Sequence, residues 1–369
     1  MKARLVPVYF DPGRDADFDR QRDALGRLLG DVADLVPPVA LGRPLPEAEA
    51  VVFPQLLGEA YRRLEAFKAI RRPILIVTSE FEAAEKRGIL HYVNHNYRRC
   101  PAVVLARQLM DQGQVGRIFH WRGAYLQSWI VDPNFPLTWQ LRKETAGAGP
   151  HWDLNSHSVD LARYLVGEIR SVMAMTARFV PRRPLPDEVT ARAFEGVAKG
   201  GRKGKVTVED AAFMLVEFEG GARGAFEATR FAPGRKNFNC FEIYGDRGSL
   251  AFNLERMNEL QFYSASDPAC AQGFRTILAT ELCHPYIPAW WPPGHTIGYE
   301  HEFMHAVADF VTALAKGAPM APDFYDGMRT IQVLEAGLES ARTGTRVELK
   351  APRRARKQAP CAPAPAVGP

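Results

Sequence analysis

Cysteine is scarce in this chain, and long hydrophobic runs are missing. The five cysteines (Cys100, Cys240, Cys270, Cys283, Cys361) are odd in number, widely scattered along 369 residues, and include no C-x-x-C pair. That spacing excludes a disulfide framework or a zinc knuckle, and reduced thiols are expected. Nothing approaches the roughly 18 consecutive apolar residues of a membrane span. The opening MKARLVPVYFDPGRD has too short an apolar stretch for a secretory leader, so the cytoplasm is the expected location and no membrane partner is expected. No internal repeat and no nucleic-acid-binding motif is evident. The net charge of +5 is matched by Lys350, Arg353, Arg354, Arg356 and Lys357, which lie in a Pro/Ala-rich end with no acid after them. Residues 350–369 are therefore expected to form a disordered basic tail, and the rest of the chain is balanced.

What is present is an ordinary globular composition, 46% apolar, with two textures. The first 98 residues alternate strand and helix patterns. Ala3–Phe10, Ala50–Phe53, Pro73–Val77 and Ile89–Val93 read as buried strands. Asp15–Leu29, Leu57–Ile70 and Glu82–Arg87 read as helices, and the β-α-β rhythm predicts a doubly wound, Rossmann-like sheet. A helix over Pro101–Gln112 follows. Residues 99–349 then carry candidate strands Ser171–Arg178, Ala211–Glu219, Arg223–Thr229, Asn239–Tyr244, Gly248–Asn253 and Glu259–Tyr263, joined by turn signals, and closing helices His301–Leu314 and Gly327–Arg342. Their succession predicts a large open mixed or antiparallel sheet, with Pro181–Lys205 as a surface loop.

The stretch Gly147–Gly167, GAGPHWDLNSHSVDLARYLVG, carries the chemistry. A Gly-rich turn delivers Asp153, and His157 follows four residues later. If one helix spans both, they share a face, one turn apart, as an acid/base histidine tuned by a carboxylate requires. Leu154, Val159, Leu161, Ala162, Leu165 and Val166 supply a buried stripe, and Gly167 suits the position after the helix. The alternative is that Asp153 or Ser156 caps the helix and His157 is a satisfied buried histidine.

This turn and helix resemble the active-site helix of the glucose–fructose oxidoreductase/inositol dehydrogenase (Gfo/Idh/MocA) family. The likeness extends through Asn96-Tyr97-Arg98, Gly113–Gly116, Tyr125–Trp129, Trp139, Val208-Glu209-Asp210, Phe218–Ala222, Gly245–Leu250, Gly298–Glu300 and Pro322–Phe324, from about residue 83 to 349. It implies an NAD- or NADP-dependent sugar or cyclitol dehydrogenase with catalytic Asp153 and His157. It also implies cofactor contacts at Asn96, Tyr97, Arg98 and Trp139, a sugar or polyol near Tyr125, Trp129 and His151, and homo-oligomers formed through the open sheet.

Two of the family's parts are missing. After the first strand stands Asp11-Pro12-Gly13-Arg14-Asp15, with no G-x-G-x-x-G whose amides could cradle a pyrophosphate. The family's Glu-Lys-Pro is also absent, Glu85-Lys86-Arg87 being a remnant at the wrong place. Val52–Tyr61 and Pro73–Phe81 bear a second likeness, to the N-terminal domain of L-fucose/L-arabinose isomerase-like proteins, which suggests a fusion near residues 81–83. Two other functions stay open: a non-catalytic sugar-binding or oligomer-partner protein, and a zinc hydrolase using His301-Glu302-Phe303-Met304-His305, an H-E-x-x-H pattern. Arg230, Arg235 and Lys236 either face a polyol or acid sugar or form a solvated face. Trp290–His295 either borders the substrate pocket or is a rigid surface loop.

Overall fold

The computed structural model describes residues 90–186 and 202–350, together with the backbone of five short strands before residue 80. The helices expected at Asp15–Leu29, Leu57–Ile70 and Glu82–Arg87, and the tail beyond Lys350, lie outside the described residues. The chain divides into two units, 1–96 with 299–329, and 97–298 with 330–369. Residues 299–329, expected with the second domain, group here with the first unit.

The first unit contains a parallel sheet. Its strands are β1 (Ala3–Tyr9), β2 (Ala33–Leu35), β3 (Val39–Ala40), β4 (Ala50–Val52), β5 (Ile74–Leu75) and β6 (His91–Tyr92). They run in the order β2-β1-β4-β5-β6, with β3 also against β1. All pair in parallel, and chain order reverses beside β1, the arrangement of a doubly wound fold.

The second unit is built on nine strands. β7 (Ile118–Leu126) and β8 (Ile169–Ala177) come first, followed by a small arm of β9 (Arg182–Pro184) and β10 (Lys203–Lys205). Then come β11 (Ala211–Phe218), β12 (Arg223–Thr229), β13 (Phe238–Gly245), β14 (Gly248–Asn253), β15 (Glu259–Ser264), β16 (Arg275–Leu278) and β17 (Val347–Glu348). The order β16-β15-β14-β13-β7-β12-β11-β8-β17 is antiparallel except where β12 meets β7. The expected surface loop over Pro181–Lys205 is thus partly a strand pair, closed by Arg183, whose guanidinium donates to the carbonyls of Ile130 and Asp132. The central strand β7 was not among the expected strands, because its aromatic and glycine residues break a simple apolar alternation.

Burial alternates along these strands as the pleat requires. Trp121, Tyr125, Met214, Val216, Phe226, Phe241 and Ile243 point to one face and form a core with Val103, Ala106, Val159, Leu161 and Leu165. Those last five come from helices α1 (Pro101–Asp111) and α4 (Asn155–Leu165); the short helices α2 (Lys143–Ala146) and α3 (Pro150–Asp153) lie between them in the chain. The opposite face is open and apolar. Met173, Met175, Phe213 and Leu215 stand exposed in register on β8 and β11, around a shallow cavity that also reaches Cys240 and Glu242.

Two long helices close the chain, α5 (Glu300–Lys316) and α6 (Phe324–Thr343). Within the first unit, Val93 N donates to the Pro322 carbonyl and Phe324 N to His91 Nδ1, tying β6 to the start of α6. No helix among the described residues is long and apolar enough to cross a membrane.

Candidate active site

The segment before α4 is shaped by glycine and one glutamate. Gly147 has φ +76°, a left-handed conformation that favours glycine, and a Cβ there would lie 2.5 Å from the Trp152 ring. At Gly149 a Cβ would meet the Glu209 carbonyl oxygen at 2.1 Å. That close approach lets the Glu209 carboxylate accept the His151 amide at 3.0 Å, satisfying a helix start that has no side-chain cap of its own. Burial pushes the Glu209 carboxyl up, against the pull of the backbone amides it accepts.

Asp153 ends α3, and His157 lies in the first turn of α4, with Leu154 as a helical joint between them. The expected single helix is therefore two, because Pro150 starts a short turn and Leu154 turns inward to the core before the next ladder begins. His157 N still donates to the Leu154 carbonyl at 3.1 Å, so the two residues stay close along the chain. Neither Asp153 nor Ser156 caps the helix; Ser156 Oγ donates to the Asp153 carbonyl instead.

Around His157 lies a polar chain with aromatic walls. The Tyr97 ring stands 4.7 Å and the Tyr125 ring 6.0 Å from the imidazole, centre to centre. Tyr125 Oη donates to Asn237 Oδ1 at 2.6 Å and so accepts from Tyr97 Oη at 2.8 Å. Gln127 Nε2 also donates to Asn237 Oδ1, while Gln127 Oε1 accepts from Trp129 Nε1 at 2.7 Å. The Trp129 ring lies 5.0 Å from the Arg230 guanidinium, and Arg230 Nη2 is paired with Asp153 Oδ2. Asp153 is 57% exposed and Arg230 only 1%. Burial pushes the His157 imidazole below its ordinary value, and the Asp153 and Asp160 carboxylates partly restore it.

The other expected site residues divide. His151 is 1% exposed, its Nε2 on the Leu334 carbonyl at 2.8 Å and its Nδ1 on Asn155 Nδ2 at 3.3 Å. Burial lowers its pKa to about 4. It is a neutral core histidine, not a sugar contact, because the helix turn carries it under the sheet face. Arg98 is held by Asp160 through two bonds of 2.7 and 2.6 Å, both side chains buried, so its guanidinium ties the turn before α1 to α4. Asn96, in the first unit, gives its amide to Glu302 Oε2 at 2.7 Å. Glu302, the acid of the H-E-x-x-H pattern, is thus a buried acceptor, and among the described residues no group of three or more His, Cys, Asp or Glu could hold a metal ion. Trp139 is 50% exposed, and Tyr97 lines the His157 wall. Trp121 is core, stacked on Phe241, and Trp291 stands on an exposed loop.

A profile of the GFO/IDH/MocA C-terminal domain matches residues 103–251. Levoglucosan dehydrogenase from Pseudarthrobacter phenanthrenivorans is 44% identical over 264 residues, 71% of this chain and 67% of that protein. An oxidoreductase domain protein from Kribbella flavida superposes with TM-score 0.81 at 38% identity, covering 95% of this chain and 91% of that one. The chain belongs to the Gfo/Idh/MocA family. A levoglucosan dehydrogenase solved with NADH and levoglucosan also superposes on this Gfo/Idh/MocA chain, with TM-score 0.82, 30% identity, and coverage of 95% of this chain and all of that one. None of these relatives supports the likeness of the N-terminal region to isomerases.

Within the Gfo/Idh/MocA frame, Arg230, Gln127 and Asn237 are the site residues that sequence reading missed or left undecided. A lone arginine just after a strand gives no sign of its burial, and the sheet register alone carries it beneath Trp129. Arg235 and Lys236, by contrast, are exposed, as a solvated face requires.

Proposed function

We propose that this Gfo/Idh/MocA protein oxidises a hydroxyl of a neutral sugar, anhydrosugar or cyclitol with NAD or NADP. The observation that carries this reading is the wall around His157: a depressed imidazole between two tyrosines, beside an exposed Asp153 and a line of amide and indole hydrogen-bonding groups. His157 is neutral at pH 7 and accepts the hydroxyl proton. Asp153 and the Tyr125–Asn237–Gln127 line orient the remaining hydroxyls, and Trp129 and Tyr125 offer aromatic faces to the ring. Arg230 is already paired with Asp153, which leaves its charge partly offset when a sugar approaches.

The parallel sheet fits a dinucleotide, because the reversal of strand order beside β1 is where such folds bind one. When bound, the nicotinamide supplies the hydride acceptor. Trp139 and Tyr97 are proposed to contact it. The sequence Asp11–Asp15 holds one glycine and no G-x-G-x-x-G, so weak cofactor affinity is expected. Titration of NADH and NADPH by nicotinamide fluorescence, followed by turnover on levoglucosan, xylose and inositol, tests the reading. Saturable binding and turnover are expected; no binding at millimolar cofactor would leave a non-catalytic sugar-binding protein.

The apolar face of β8 and β11 is proposed to bury itself against a second copy, since exposed methionine, leucine and phenylalanine in register are costly in water. Light scattering should give an oligomeric mass, and Leu215→Lys should reduce it; a monomeric wild type would reject this assembly.

A further inference from the structure

We propose that Asn237 sets the substrate preference of this site by offering a fixed amide N–H donor to an ether oxygen of the sugar. It rests on the dehydrogenase reading above and narrows the substrate class to rings or bridged rings that contain an ether. The polarity is set by a group that can only donate, the Trp129 indole N–H. It gives its hydrogen to Gln127 Oε1 at 2.7 Å, which turns Gln127 Nε2 toward Asn237. Nε2 then donates to Asn237 Oδ1 at 3.0 Å. An amide that could otherwise sit either way round therefore shows its oxygen to the wall. Tyr125 Oη donates to that same oxygen at 2.6 Å, so two donors fill Oδ1.

The backbone holds Asn237 in place. Its N–H and that of Lys236 both donate to Glu255 Oε1 at 3.0 Å, and Ser128 Oγ donates to the nearby Arg235 carbonyl at 2.7 Å. The side chain is half-buried, and Nδ2 has no hydrogen-bond partner among the described residues. It is not one of the polar atoms closed off from solvent, so its N–H bonds are open to a ligand. That ligand meets a donor and no acceptor, beside the tyrosine whose ring lies 6.0 Å from the His157 imidazole. A hydroxyl can rotate to suit a donor or an acceptor, whereas an ether oxygen can only accept. A rigid donor thus suits a ring or anhydro-bridge oxygen, and an acceptor in its place would leave that oxygen facing a lone pair. A cyclitol, with hydroxyls alone, suits either polarity.

Two substitutions reverse the polarity. Asn237→Asp replaces the open donor by an acceptor. Gln127→Glu still takes the Trp129 proton but shows an acceptor to Asn237, which should turn the Asn237 amide over and point Oδ1 outward. In both variants kcat/KM for levoglucosan, which contains ether oxygens, should fall about tenfold or more relative to that for myo-inositol, which contains none. Inhibition constants replace kcat/KM for a sugar that binds without being oxidised. The second readout is NMR of the full-length protein labelled with 15N-asparagine, with the Asn237 side chain assigned by its loss in Asn237→Asp. Its NH2 protons should exchange rapidly with water in the wild type, become protected in Gln127→Glu, and shift saturably when levoglucosan is added to the wild type. Equal losses for both sugars, a wild-type preference for myo-inositol, or unchanged exchange in folded Gln127→Glu overturns the proposal. If Gln127→Glu does not fold by circular dichroism, the sugar ratio in Asn237→Asp decides. A wild type that oxidises no sugar defeats the proposed function. The role of Asn237 then stands if levoglucosan shifts its signal and falls if it does not.

Discussion

Two arginine–aspartate pairs lie against α4 and its approach, and they serve opposite ends. In Arg98–Asp160 both side chains are buried, two hydrogen bonds close the fork, and Tyr164 covers it. In Arg230–Asp153 the arginine is buried, the aspartate is more than half exposed, and two guanidinium nitrogens have no hydrogen-bond partner among the described residues. The residue types are the same, and the difference lies in closure. A closed pair fixes one helix on another; an open one keeps a carboxylate available to a ligand while controlling where it points. The same contrast separates two histidines six residues apart, His151 bonded at both ring nitrogens in the core and His157 at the aromatic wall.

The strongest way to break this contrast is at the histidines. His157→Asn should cut turnover by about 10²–10⁴ or more while nicotinamide fluorescence still reports cofactor binding. Retained turnover would move the proton acceptor elsewhere. At the ion pairs, Asp160→Asn should cost about 3–5 kcal/mol in urea unfolding, since it removes the charge that two hydrogen bonds hold against a buried arginine. Asp153→Asn should cost about 1–2 kcal/mol, the difference between a charged and a neutral acceptor, yet it should lower kcat/KM more than Asp160→Asn does in folded protein. Equal stability losses would erase the distinction between closed and open.

The pH dependence sharpens the histidine half. His151 has a folded pKa near 4 against an ordinary 6.5, so the unfolded chain binds its proton first as pH falls. Its contribution is intact above pH 6.5 and is lost as pH drops toward 4, by about 2–3 kcal/mol at pH 4.5. Glu209 and Asp210, both raised by burial, act in the opposite sense over the same range. The measurement is therefore the difference between wild type and His151→Gln from pH 7.5 to 4.5, and a flat difference would contradict the buried neutral histidine. The smallest effect is expected at Trp139→Ala, which should weaken cofactor binding with stability within about 0.5 kcal/mol, because half of that side chain already faces solvent.

The sequence by itself determined the family, the strands β11 to β15 within a residue or two at most ends, and the presence of Asp153 and His157 at the start of the site helix. Those features are local: apolar alternation, turn glycines and a motif of fixed spacing all lie within a few residues of one another. It also put both histidines of that stretch in the site, His157 as the acid/base and His151 near the sugar, since helical periodicity does not say which turn meets the sheet. Only the tertiary structure decided that His151 is core and His157 is not, that Arg98 belongs to Asp160, and that Arg230 belongs to Asp153. Each of those pairings joins residues that are distant in the chain, up to 183 apart for His151 and Leu334. They follow from which strand lies beside which, and burial, not residue type, then decides whether a charge is closed off or left to work.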